Sequence, residues 1–111
     1  MIDPLSTDPV GAQHLHDTSE ALLLDVREND EWEAGHAPGA VHIRLAELDP
    51  ATLDPARTVV AICRSGNRSG KAADRLARAG VVTYNMEGGM KLWKQQGYSV
   101  VRDDGSPGDV I

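Results

Sequence analysis

Two short stretches of the chain are apolar but for one residue each: Ala21-Leu22-Leu23-Leu24-Asp25-Val26 and Thr58-Val59-Val60-Ala61-Ile62. Such runs read as strands covered on both faces, and the β-branched residues make the second the strongest strand in the chain. Ala40-Val41-His42-Ile43 and Val81-Val82-Thr83-Tyr84 read as two more strands. Between the strands the apolar spacing becomes helical. Asp8 followed by Pro9 supplies a capping oxygen and a preset φ for a helix running to about His16. Asn29 to Ala34 reads as a short helix ended by Gly35, and Ala46 to Leu48 as one helical turn. From Ser69 onward, Ala72, Ala73, Leu76 and Ala77 recur at helical spacing until Gly80. Gly88-Gly89 then turns the chain into a last helix that holds Met90, Trp93 and Lys94 and stops at Gly97. The polar, turn-rich tail predicts one domain over residues 1–102 with residues 103–111 frayed.

Short strands alternating with helices predict an α/β fold with a mainly parallel sheet covered on both faces. Ligands of such sheets bind at the carboxyl ends of the strands. Cys63 directly follows the strongest strand and so falls at that end.

Composition narrows the function classes. In 111 residues, 41% are hydrophobic and 25% charged, which suits one soluble domain and excludes a disordered chain. No apolar run approaches the ~18 residues of a membrane span. Met1-Ile2-Asp3-Pro4 has neither the basic nor the apolar region of a secretory leader. A single cysteine excludes an internal disulfide framework and a Cys-rich zinc site. Together these predict a cytoplasmic protein. The net charge of −6 argues against nucleic acid as a partner. The charge is uneven: residues 1–56 carry two basic and twelve acidic side chains, residues 57–111 nine basic and five acidic. Either two solvated faces attract each other, or a local positive field gathers an anion.

The segment Cys63-Arg64-Ser65-Gly66-Asn67-Arg68-Ser69 lies between a buried strand and a helix start. That is a place to make and hold an anion. The amides of a tight loop can converge as a nest, the helix adds partial positive charge, and Arg64 and Arg68 add full charges. Each favours thiolate over thiol, so the Cys63 acidity is expected to exceed that of a free thiol, and no general base is needed.

Four pieces of sequence now stand in order: Leu24-Asp25-Val26-Arg27, Gly35-His36-Ala37-Pro38-Gly39-Ala40, the Cys63 to Ser69 loop, and Glu87-Gly88-Gly89 followed by Trp93. In this order they resemble a single-domain rhodanese from about Ala21 to Gly97. The resemblance implies a three-layer fold with a central sheet of about five strands. It also implies a sulfurtransferase in which Cys63 takes the outer sulfur of thiosulfate or a similar donor as a persulfide. A thiol or other thiophilic acceptor, cyanide in the assay, then removes it. No metal or organic cofactor is implied, and no membrane partner. Two alternatives remain: an interaction module of the same fold whose cysteine is incidental, and a phosphatase-like or arsenate-type use of the loop. Related phosphatases read Cys-x5-Arg. Here four residues separate Cys63 from Arg68, and the shorter loop suits one sulfur atom better than a tetrahedral phosphate.

The resemblance gives the other candidates supporting roles. Asp25 is expected to orient groups near the loop, and Arg27 to pair with an acid of the next helix, for which Glu28, Glu31 and Glu33 are available. His36, beside Pro38 and Gly39, reads as turn chemistry. His14 and His16 do not share a helix face and have no third ligand at a metal spacing. Trp32 and Trp93 read as packing. Arg44 is long enough either to reach the site or to run to solvent. Gly88 and Gly89 are expected to let the backbone turn close against the loop.

Overall fold

The two apolar runs lie at the middle of one sheet. The structure, a computed structural model, describes residues 3–111. In chain order the elements are β1 (Leu5–Thr7), α1 (Pro9–Ser19), β2 (Leu22–Asp25), α2 (Asn29–Ala34) and β3 (Val41–His42). Two 3-10 turns (Leu45–Glu47 and Pro50–Thr52) follow, then β4 (Val59–Ile62), α3 (Asn67–Arg78), β5 (Thr83–Met86) and α4 (Gly89–Gln95). The strands are all parallel, in the order β1-β5-β4-β2-β3.

The two apolar runs are explained by which face each residue serves. Leu22, Leu24, Val59 and Ala61 pack with Ala72, Ala73 and Leu76 of α3. Leu23, Val60 and Ile62 pack on the opposite face with Ala12 of α1 and with Met90 and Trp93 of α4. The result is a parallel sheet between two helical layers, as the sequence predicts.

Two expectations need correction, and one strand is missing from them. The edge strand β1 is absent from the sequence reading. It has only three residues and is largely exposed, so it carries no apolar signature and depends on pairing with β5. The strand expected at 81–84 lies at Thr83–Met86 instead. Val81 N donates to Leu76 O, which spends that residue on closing α3. The tail is bonded to the domain where fraying is expected: Pro107 bridges Val101, Gly108 N donates to Val100 O, and Asp109 N donates to Ala34 O. Gly35 makes this docking possible, because a Cβ there would lie 2.6 Å from the Asp109 backbone.

Candidate active site

Cys63 follows β4 and is buried, with only 1% of its surface exposed. The chain then turns through Gly66, whose φ of 110° lies in the left-handed region that favours glycine. That turn starts α3 at Asn67, two residues before the expected start, and brings the loop back over the sulfur. Gly66 N donates to Cys63 Sγ at 3.0 Å, and Ser69 Oγ lies 3.2 Å from it. Asn85, at the carboxyl end of β5, closes the group: its Oδ1 is 2.6 Å from Ser69 Oγ and its Nδ2 donates to Gly66 O.

The Cys63 thiol is held below its ordinary pKa. Burial pushes it up, but the Ser69 hydroxyl and the amides of Ser69, Gly66 and Ser65 together outweigh burial. The expected direction is therefore found, with a different division of labour: hydrogen-bond donors, more than the two arginines, lower it. Arg64 is exposed and its Nε donates to Ile111 O. Arg68 makes a two-pronged pair with Glu31 at 2.6 and 2.8 Å. Glu31 also accepts from Glu28 N, and the Arg68 hydrogen bond holds its carboxyl below the usual carboxylate range, against the opposing effect of burial.

The acid of α2 thus serves Arg68, and the expectation for Arg27 is corrected. Arg27 is fully buried and turns back onto Asp25, with Nη2 2.7 Å from Oδ2 and a further bond to Gly35 O. Asp25 spends its Oδ1 on the Arg27 amide and Nε, and among the described residues its side-chain bonds all go to Arg27 and none to the loop. His36 Nδ1 bonds to Trp32 O, its Nε2 faces Asp103 at 3.5 Å, and its ring stacks on Trp32. Trp32 stacks on His42 as well. Trp93 is core and donates to Ser99 O. Arg44 pairs with Glu47 and Glu28.

The turn at Gly88-Gly89 seats α4 against the loop. Met90 N donates to Cys63 O and Lys91 N to Arg64 O. A Cβ on Gly89 would strike the Cys63 and Arg64 backbone, at a φ of 57°. Gly89→Ala is therefore expected to cost about 1–3 kcal/mol in urea unfolding and to change the alkylation rate of Cys63. Gly80→Ala is the control: its φ of 88° also strains an alanine and should lower stability, but among the described residues a Cβ there meets nothing within 4 Å, so the Cys63 rate should not move.

The one site residue that the sequence reading passed over is Asn85. The available signal was a polar residue at the carboxyl end of a parallel strand, just before Glu87-Gly88-Gly89.

The fold is matched by the comparisons. A family model described as a rhodanese-like domain matches residues 9–96. The chain is 44% identical over 77 residues to the protein named "Putative sulfurtransferase YtwF" of Bacillus subtilis, covering 68% of this chain and 75% of that protein. It is 37% identical over 102 residues to slr1261 of Synechocystis, covering 89% of this chain but spanning only 57% of that relative's length. Among solved structures, the thiosulfate sulfurtransferase of Pseudomonas aeruginosa superposes with a TM-score of 0.80 at 25% identity, over 97% of this chain and 22% of that one. By its sequence motifs, its sheet and the extent of the family match, the chain belongs to the rhodanese-like domain family.

Proposed function

We propose that the protein transfers sulfane sulfur through a persulfide on Cys63, with thiosulfate or a similar small donor as the source. The observation that carries this reading is the Cys63 sulfur itself, buried and met by an amide and a hydroxyl at the start of α3. The thiolate attacks the outer sulfur of thiosulfate. A sulfur–sulfur bond forms on Cys63, the donor's own sulfur–sulfur bond breaks, and sulfite leaves with the electron pair. The negative charge then sits on the outer sulfur. A thiophile such as cyanide takes that sulfur as thiocyanate and returns the thiolate. This is a two-step covalent cycle that needs no general base once the thiol is ionised.

A sulfurtransferase-family role is supported by the domain match and by the Bacillus subtilis relative. The loop of four residues between Cys63 and Arg68 favours sulfur over phosphate. Steady-state assays test the reading. The protein should form thiocyanate from thiosulfate and cyanide and should leave aryl phosphates intact. Efficient phosphate release, or no thiocyanate, would contradict it.

Two further outcomes are expected. Alkylation of Cys63, the only thiol in the chain, should show a midpoint below the ~8.5 of a free thiol. The reactive thiolate is present above that midpoint and is lost as pH falls through it. A midpoint at or above the free value would remove the argument from the loop. Arg68→Ala should lower thiosulfate turnover per unit donor about ten- to hundredfold. It removes a guanidinium and leaves the Glu31 carboxylate without its partner. Reaction with a neutral alkylating agent should change far less, and unchanged thiosulfate kinetics would show that Arg68 does not serve the donor.

A further inference from the structure

Ser69 has one hydroxyl proton and two neighbours that want it. Its Oγ lies 2.6 Å from Asn85 Oδ1 and 3.2 Å from Cys63 Sγ. A hydroxyl donates once and accepts twice, so both contacts cannot draw on the same proton. Asn85 is not free to turn over. Its Nδ2 donates to Gly66 O at 3.1 Å, and reversing the amide would set its oxygen against that carbonyl. The amide oxygen facing Ser69 carries no proton, so the 2.6 Å contact needs the proton of Ser69. Cys63 Sγ is then left facing a Ser69 lone pair. That suits a neutral sulfur, whether a thiol donating to Ser69 or a sulfur bonded to a second sulfur. It does not suit a thiolate, which needs the proton turned towards it.

We propose that Asn85 is a positioning residue that competes with Cys63 for the Ser69 proton, restraining ionisation of the free thiol and favouring the sulfur-loaded form of Cys63. When the thiolate forms, Ser69 turns its proton to Sγ and Asn85 Oδ1 loses its donor. When a second sulfur is bonded, the charge moves outward, Sγ is neutral, and the proton returns to Asn85. The statement about the loaded form rests on the persulfide reading above. The statement about the free thiol rests on the geometry alone.

The charged groups around Cys63 come from the neighbouring elements. They are Arg64 in its own loop, Arg68 of α3 with Glu31 of α2, the Asp25–Arg27 pair at the end of β2, and Glu87 and Lys91 flanking the start of α4. On β5, the titratable Tyr84 packs on the opposite face of the sheet. Asn85 is uncharged, so its effect should be insensitive to salt, unlike theirs.

The test is the rate of Cys63 alkylation against pH. Asn85→Ala should lower the midpoint by about half to one pH unit, because Ser69 is then free to serve the thiolate. In a Ser69→Ala background the same substitution should have no effect on the midpoint. A midpoint that is unchanged or raised by Asn85→Ala, or lowered equally without the Ser69 hydroxyl, would overturn the proposal. A measurement on the unaltered protein stands beside it. The side-chain amide resonances of Asn85 should titrate with the Cys63 midpoint and lose that dependence in Ser69→Ala, and a flat Asn85 signal would overturn the proposal as well. Neither readout involves sulfur transfer. A protein that never loads sulfur would sink the proposed function and leave these midpoints readable.

Discussion

Replacing Cys63 by serine is expected to abolish sulfur transfer and to leave the fold in place. Serine is nearly isosteric with cysteine, and the position is a buried loop start with the Gly66 amide and the Ser69 hydroxyl already within hydrogen-bond reach. Its hydroxyl is not ionised at neutral pH, and oxygen cannot carry a transferable sulfur. The loss should therefore be complete within assay background, several orders of magnitude, in keeping with removal of a covalent nucleophile. Unfolding of the variant by urea should keep the wild-type slope, which separates lost chemistry from lost structure. Measurable thiocyanate formation by folded Cys63→Ser would mean that the nucleophile is misassigned.

The largest effect on stability is expected at Arg27, outside the loop. Its side chain is wholly buried and held between the Asp25 carboxylate and Gly35 O. Among the described residues its Nη1 has no hydrogen-bond partner, so the pair is imperfect even when intact. Arg27→Met leaves a carboxylate buried without its counter-charge and strips a donor from Gly35 O. Breaking one side of a buried pair typically costs about 3–5 kcal/mol. With urea slopes of about 1–3 kcal/mol per molar for small domains, the midpoint should fall by more than about 1 M. Replacing both partners, Asp25→Leu with Arg27→Met, should recover most of the loss, because an apolar pair of similar volume avoids the desolvation cost. A loss below about 1 kcal/mol in the single variant would show that Asp25 finds another partner.

The parts of this fold that are legible in sequence are those whose cause is local. β2 and β4 announce themselves because each is covered on both faces and nearly every position is apolar, the buried Asp25 at the end of β2 being neutralised by Arg27. The Cys63 loop is legible because Ser65 and Gly66 cannot continue the strand, although Asn67 and Arg68 then open α3 and do not lengthen the loop. β1 is illegible because nothing in Leu5-Ser6-Thr7 demands a strand until β5 offers an edge. The Asp25–Arg27–Glu31–Arg68 arrangement fails for a related reason. Residue types and spacing allow either arginine to reach an acid of α2. The choice falls to geometry: Arg27 lies beside Asp25 and folds back, while α3 delivers Arg68 to Glu31. Asn85 escaped because its role depends on two residues far off in sequence, Ser69 and Gly66, that the fold brings to the end of β5. The tail misleads because its composition is that of a free end, whereas its order comes from backbone bonds to Ala34 and Val100.

The central claim is that Cys63 carries the sulfur, and the most direct test is the mass of the protein before and after thiosulfate. Intact-protein and peptide mass spectrometry should show the gain of one sulfur atom, located on the peptide containing Cys63, and cyanide should remove it with release of thiocyanate. No added sulfur on Cys63 after thiosulfate, or an added sulfur that cyanide does not discharge, would contradict the account.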